Sequence, residues 1–510
     1  MTDVPVVISG AGPTGLMVAC ELALAGVRPV VLERLPAPSE EPKANGLVGQ
    51  IVRMLDMRGL YGVLSGAAEP PKPMDQWMFS GLRVPLTGMP DNPMYALMIQ
   101  QPRLVRSLVE HARGLGVDIR WGHELTGVRA GVDGVAVTVA SADGVHGFDA
   151  SYLVGADGGR SGVRKWAGIG FPGHTSDTVA RLAHVDVPDD IRSPDGGLDV
   201  PGVGRLPWGH HRLDDGGFIF AELEPGRPMV GTIEFGGQVD DAQPMTLDEL
   251  RDSVHRVLGS ELAVGPPRGD GPHAMRRIAG QNTRQADRCR AGNVFLVGDS
   301  AHVHSAMGGP GLNLGLQDAM NLGWKLAAAV NGWAPEGLLD TYHSERHPAG
   351  LRVMMHSMSQ TALFAPGPEI GALRGLFAEL LQLPSAAEHV AHLLAGSDVR
   401  YDTGDDHPLS GRLVPEWTLA DGRLVADLLR PACPVLIDGA DGSAITVAEP
   451  WTERVECLTA TVTDGPAAVL IRPDGYIAWA ADTFDAAAEE GLRLALHRWC
   501  GRRGVATYRL

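Results

Sequence analysis

The first 35 residues read as a strand, a turn, a helix and a second strand. Val4–Ser9 is a short β-branched run of the kind buried on both faces of a parallel sheet. Gly10-Ala11-Gly12-Pro13-Thr14-Gly15 is the turn, and Leu16–Ala25 follows with helical apolar spacing that Gly26 stops. Pro29–Leu32 predicts a second buried strand ending at Glu33. From about 185 to 275 the texture changes to short runs broken by Gly, Pro and Asp, and Phe218–Leu223 and Met229–Phe235 predict two strands of an antiparallel sheet. Helical periodicity returns after 285 and dominates to about 400. A Gly/Asp-rich stretch near 400–412 predicts a linker. Beyond it, Ala467–Ile471, Arg472-Pro473-Asp474-Gly475 and Tyr476–Ala480 predict a hairpin inside a smaller α/β unit.

At 510 residues the chain has room for two to four domains of roughly 150 residues each. Apolar residues at 44% and charged residues at 20% are ordinary for a globular protein and exclude a disordered chain. The net charge of −18 argues against a general role on nucleic acid or an anionic membrane, because the field repels a polyanion. The five cysteines (20, 289, 433, 457 and 500) are scattered without a C-x-x-C, which predicts reduced thiols and neither a disulfide framework nor a zinc site. Met1-Thr2-Asp3 opens without a basic region and no apolar run approaches 18 residues, so a soluble cytoplasmic chain is expected.

Gly10-x-Gly12-x-x-Gly15 lies where a phosphate-binding turn belongs. Its glycines permit a close backbone approach to pyrophosphate, and the helix N-terminus after it offers free N–H groups. Glu33, 18 residues after Gly15, is placed to accept both hydroxyls of a ribose. The motif alone does not separate NAD from FAD. Two later segments bear on that choice. Tyr152–Gly155 is an apolar strand running into Ala156-Asp157-Gly158-Gly159-Arg160-Ser161-x-x-Arg164. Asn293–Val297 is another, ending in Gly298-Asp299-Ser300-Ala301-His302 and then Gly308-Gly309-Pro310-Gly311-Leu312-Asn313 and a helix over Leu314–Val330. An Asp at the mouth of a strand can hold a ribityl hydroxyl, and a glycine loop entering a helix N-terminus can sit against a flavin edge.

In this order and at these distances, the three motifs resemble the FAD-dependent aromatic hydroxylases of the p-hydroxybenzoate hydroxylase type. Within them the chain is similar to the actinomycete enzymes that oxidise polyketide antibiotics. The resemblance implies an α/β fold in three parts. These are a Rossmann-like FAD-binding domain (1–73, 100–180 and 276–400), an antiparallel-sheet substrate domain (74–99 and 181–275) and a thioredoxin-like C-terminal α/β domain (401–510). It also implies FAD as cofactor, NADPH or NADH as co-substrate, and O2 entering a polycyclic aromatic polyketide through a flavin C4a-hydroperoxide. No metal, nucleic acid or membrane is implied, and the assembly expected is a monomer or homodimer. A Baeyer–Villiger oxygenase and a non-oxygenating flavin-binding partner stand as alternatives.

Position by position, the resemblance puts cofactor contacts at Gly10, Gly12, Pro13, Thr14, Gly15, Glu33, Arg34, Lys43, Gln101, Leu125 and Asp157. It adds Gly298, Asp299, Gly308, Gly309, Pro310, Gly311, Leu312 and Asn313. Glu33 takes the adenosine ribose with Arg34 beside it. Gln101 lies near the ribityl chain, the Leu125 backbone meets adenine, Asp299 binds the ribityl chain and Gly311-Leu312-Asn313 the isoalloxazine. The chain departs from the family at Lys43, where Arg is usual, and at His304-Ser305-Ala306-Met307-Gly308-Gly309-Pro310, where His-x-Pro-x-Gly-Gly-Gln is more common. Lys keeps the charge but lacks the planar fork of Arg. No dedicated acid–base residue is demanded, because a substrate phenol can activate its own ring. Candidate substrate contacts are Trp77, Phe79, Met94, Trp208, Phe220 and His304, since Met and aromatic side chains suit a large planar ligand. Arg160 and Arg164 are read either as aids to a pyrophosphate or as solvated surface charges.

Overall fold

The computed structural model describes residues 4–41, 43–222, 225–237, 239, 243–305 and 307–502. Leu223, at the end of a predicted strand, and Ala306, in the glycine-rich segment, lie outside the described residues. The β-branched runs pair as parallel strands in the order Val294–Leu296, Gly144–Gly155, Val4–Ser9, Val30–Glu33 and Asp118–Trp121. Residues such as Val6, Val7, Ile8, Val31, Leu153 and Val154 are completely buried, as strands covered on both faces require. Successive strands run outward from Val4–Ser9 on one side, and the chain then returns to its other side with Gly144–Gly155. That reversal opens a crevice at the carboxyl ends of these two strands, where α/β sheets bind ligands.

Helix Pro13–Leu24 packs closely on helix Pro310–Val330. A Cβ on Gly323 would lie 2.3 Å from the Glu21 Cβ, and one on Gly315 would lie 2.6 Å from the Thr14 Oγ1, so only glycine permits the approach. Of the 21 residues of the longer helix, 17 are buried, among them Asp318, Asn321 and Lys325.

The second sheet is antiparallel in the order Gly209–Leu213, Gly216–Ala221, Met229–Glu234, Val179–His184 and Met275–Ala279. One face packs on helix Leu247–Leu258 through Phe218, Phe220, Val230, Leu250 and Val254. The hairpin Gln76–Phe79/Leu82–Pro85 is a separate two-stranded sheet against the edge strand Gly209–Leu213, where a Cβ on Gly81 would lie 3.2 Å from the His210 oxygen. Phe79 is 5.3 Å from Phe377 and in one apolar cluster with Leu363 and Val390 of the late helices.

The C-terminal sheet runs Glu456–Thr459, Val435–Asp438, Ala468–Ile471, Ile477–Ala481, with only the first pair parallel, and helix Ala486–Cys500 closes it. A parallel pair, an antiparallel hairpin and a closing helix form a thioredoxin-like α/β unit. The 400–412 stretch is not a solvated linker. Tyr401, Thr403 and Ser410 are buried, and Tyr401 stacks on Tyr476 at 4.3 Å, because its aromatic surface gains more from the domain junction than from water. The Arg472-Pro473-Asp474-Gly475 turn is also buried, with Arg472 at 1% and Asp474 at 0% exposure. All five cysteines are unpaired. Among the described residues no helix is long and apolar enough to cross a membrane.

Candidate flavin site

Register brings the three motifs together. Ser9 lies opposite Gly155, and Gly155 opposite Leu296, so the Gly10, Asp157 and Gly298-Asp299 turns leave the sheet side by side. Gly10 has φ +110°, and a Cβ there would come within 2.4 Å of the Ala156 carbonyl oxygen. A Cβ on Gly15 would lie 2.1 Å from the Gly10 oxygen, whereas one on Gly12 would meet nothing within 4 Å. Gly10 and Gly15 are therefore fixed by protein packing, and Gly12 alone faces open space. Thr14 fills the gap between Gly298 and Gly315, tying the first motif to the third.

Arg164, read as pyrophosphate aid or surface charge, is neither solvated nor free. Its guanidinium donates to the Ser300 oxygen (2.9 Å) and the Gly159 oxygen (3.0 Å) and lies 3.7 Å from the Phe171 ring centre, clamping the second motif to the third. Both Asp157 carboxylate oxygens accept within their own turn, from the Ser161 hydroxyl and the Val163 N–H, so its side chain starts the helix Gly162–Trp166. Arg160 is exposed.

Helices Pro13–Leu24 and Pro310–Val330 both begin at this sheet edge with Pro in the first turn and no side-chain cap, leaving backbone N–H donors available. Gly309 starts the second at φ +66°. Glu33 accepts the Ala11 N–H at 2.8 Å and so leans over the first turn, with Arg34 exposed next to it. Leu125 is buried on the strand after Asp118–Trp121, in the apolar cluster that holds Leu32. The Gln101 N–H bonds Ala44, which places the Lys43 segment against the start of helix Gln101–Gly114. Asn313 accepts the Val48 N–H at 3.0 Å and donates to the Gly309 oxygen at 3.1 Å, locking the loop Gly308–Leu312.

Asp299 and His304 lie in the segment between the sheet edge and the second helix. Asp299 is exposed, yet it is set so deep that burial raises its carboxyl above the usual range, partly offset by the His302 and Lys43 charges. His304 is half-buried, and burial pushes its imidazole down to about 4. Its Nδ1 donates to the Ser305 oxygen at 2.9 Å, and its Cε1 stands 3.4 Å from where a Gly311 Cβ would be. The residues fit FAD: an open Gly12 at a helix start for pyrophosphate, the Glu33 carboxylate for ribose, and the Asp299 carboxyl in the turn that leads to a second uncapped helix.

Across from this edge the second sheet presents its other face. Ile219, Ile233, Phe235 and Ala180 gather there with Met307 and Phe364. Phe220 is corrected by this alternation: it points away, into the core against helix Leu247–Leu258. Met94 and Phe79 are buried under the late helices, Trp77 borders the same cluster, and Trp208 is 44% exposed. His210 is cross-strand from Ile219 and so shares its face; its side chain is exposed, yet the protein mass around it and the neighbouring His211 lower its pKa. Phe364 points the Cε1 edge of its ring at Gly217, where a Cβ would fall 2.1 Å from that atom. Gly217→Ala is expected to cost about 1–3 kcal/mol by overpacking, read by denaturant unfolding, and Phe364→Ala in the same chain should recover part of it.

Two polar clusters escape the sequence reading. Asp318 accepts the Gly298 N–H (3.1 Å), His302 Nε2 (2.6 Å) and Arg346 Nε (2.8 Å), and Arg346 donates on to the Tyr401 hydroxyl (2.9 Å). Burial works to raise Asp318, but the His302 and Arg346 charges prevail and hold it below the usual carboxylate range. Glu345 receives Arg472 (2.6 and 2.9 Å), Lys325 (2.6 Å) and Asn321 (2.6 Å), all buried. The available signal was polar residues at 318, 321 and 325 on one face of a helix whose only other polar side chains are Asn313 and Gln317.

The comparisons agree with this architecture. The description FAD binding domain matches residues 3–357, and aromatic-ring hydroxylase, C-terminal, matches 407–503, which defines a flavoprotein class. The chain is 39% identical over 515 residues (97% of this chain, 98% of the relative) to 12-dehydrotetracycline 5-monooxygenase/anhydrotetracycline 6-monooxygenase of Streptomyces rimosus. It is 36% identical to rifampicin monooxygenase of Streptomyces venezuelae, over 94% of this chain and 95% of that one. The solved structure of OxyS anhydrotetracycline hydroxylase from Streptomyces rimosus superposes with a TM-score of 0.86 at 38% identity, covering 98% and 99% of the two chains. The chain belongs to the FAD-dependent aromatic-ring hydroxylases and is a monooxygenase of that family.

Proposed function

We propose that this chain uses NAD(P)H and O2 to hydroxylate a polycyclic aromatic polyketide at the junction of its first two sheets. The observation that carries the reading is the register that delivers the Gly10, Asp157 and Gly298-Asp299 turns to one edge, facing the apolar side of the second sheet. In this reading Gly12 and the helix start after it hold the pyrophosphate, Glu33 the ribose, Asp299 the ribityl chain, and Gly311-Leu312-Asn313 the ring. Bound FAD supplies oxygen activation. The protein's share is to orient the substrate ring and keep bulk water out, and the Ile219, Ile233, Phe235, Met307 and Phe364 surface suits both tasks. His304 stays uncharged at neutral pH with its proton on Nδ1, so its Nε2 keeps a lone pair suited to accept a hydrogen bond from a substrate hydroxyl.

The test is NADPH and NADH oxidation by purified, FAD-loaded protein, with and without tricyclic and tetracyclic polyketides. Stimulated oxidation with a product heavier by one oxygen is the expected result. Bound flavin with no stimulation by any of these compounds would overturn the assignment of substrate class.

A further inference from the structure

The Gly298-Asp299 turn is held from behind by a buried chain of contacts that ends in the C-terminal unit. Asp318 fixes the turn directly, through the Gly298 N–H at 3.1 Å, and fixes His302, which follows the turn, through Nε2 at 2.6 Å. Asp318 and His302 are 1% and 3% exposed, so water offers no substitute for either bond. Arg346 completes the carboxylate's partners at 2.8 Å and donates to the Leu314 oxygen (3.3 Å) in the first turns of helix Pro310–Val330. The same guanidinium donates to the Tyr401 hydroxyl at 2.9 Å. Tyr401 in turn stacks on Tyr476, the residue that follows the buried Arg472–Gly475 turn, with the Arg472 guanidinium 5.3 Å from the Tyr401 ring centre. Each link is a short contact between buried groups, and they run without a break from the third motif to the C-terminal hairpin.

We propose that Asp318 is the positioning residue of the Gly298-Asp299 turn, and that through Arg346 and Tyr401 the seating of the C-terminal unit sets the flavin environment. The inference rests on the reading of that turn as a flavin contact. It gives the C-terminal unit, which lacks a C-x-x-C, a role other than redox chemistry. A carboxylate that accepts from one backbone N–H and from the His302 and Arg346 side chains fixes the turn in one geometry. Its negative charge also offsets the cationic Arg346 beneath the flavin-facing edge.

The test compares Asp318→Asn, Tyr401→Phe and Asp299→Ala by FAD titration, flavin reduction potential and far-UV circular dichroism. With native dichroism, Asp318→Asn should weaken FAD binding about tenfold. It should also raise the potential, because the Arg346 charge left uncompensated favours the reduced, anionic flavin; a purely structural role would leave the potential of the folded variant alone. Tyr401→Phe keeps the ring stack and removes only the hydroxyl, and should weaken FAD binding about threefold. A folded Asp318→Asn protein with wild-type affinity and potential overturns the inference. If Asp318→Asn does not fold, Tyr401→Phe decides: native dichroism with weakened FAD binding supports the inference, and unchanged affinity overturns it. Asp299→Ala separates the two levels. Unchanged affinity there removes the flavin reading of the turn and this inference with it. Lost affinity there, beside wild-type behaviour of Asp318→Asn, removes only the inference.

Discussion

Glu345→Ala is expected to destabilise the junction between the flavin-binding and C-terminal units by about 3–5 kcal/mol, the cost of leaving buried charge without its partner. Arg472 reaches both Glu345 oxygens, and Lys325 and Asn321 share one of them, so truncation strands two cations in the interior. Asp474, bonded to Arg472, compensates part of the loss and keeps the value below the sum of the contacts. Urea unfolding followed by limited proteolysis checks this: the C-terminal unit should be released at lower denaturant than in the wild type. A change below about 1 kcal/mol, the range of exposed pairs, would show that the network does not hold the junction.

The same carboxylate gives the pH dependence. Burial alone would raise Glu345, but Arg472 and Lys325 bring it from 4.5 down to about 2. A depressed pKa means that the folded state binds the proton less readily than the unfolded state. The Glu345 contribution is therefore complete above 4.5 and is lost as pH falls from there through about 2. Glu345→Gln should flatten that part of the acid-unfolding curve.

The second large effect separates two glycines of one motif. Gly15→Ala puts a Cβ 2.1 Å from the Gly10 carbonyl oxygen and 3.1 Å from the Ala156 Cβ, both on rigid elements. It should lower stability by at least about 1–3 kcal/mol and abolish FAD binding. Gly12→Ala adds a Cβ that meets no protein atom within 4 Å, at an ordinary φ of −71°, so folding should be unchanged. FAD affinity should nevertheless fall by more than about tenfold, because the methyl occupies the approach of the pyrophosphate. Thermal unfolding and FAD titration of both variants read the contrast. A Gly12→Ala protein that binds FAD like the wild type would remove this turn from the site.

Much of the flavin edge was legible along the chain because it is local. Strand, glycine turn and helix follow one another within Val4–Leu24, and the same is true of Val294–Val330, so each can be recognised without its neighbours. The second sheet was legible as texture but not as facing. Phe220 and Ile219 are adjacent, and hydrophobicity alone does not say which of them meets helix Leu247–Leu258 and which meets Met307. The burial of Arg164 and Glu345 was missed for another reason. A charged residue carries no sequence mark of burial when its partners lie far away, as Ser300 does from Arg164 (136 residues) and Arg472 from Glu345 (127 residues).

The sequence by itself determined the elements and the three turns, because backbone conformation and apolar periodicity depend on near neighbours. It also carried the glycines at 10, 15, 315 and 323 that let those elements approach. Only the tertiary structure decided that Ser9, Gly155 and Leu296 align, that the 400–412 stretch is packed rather than solvated, and that the Arg472 turn is an interior clasp. Those outcomes depend on sheet order and on pairing between distant charges, which become favourable only once the surrounding surfaces have excluded water.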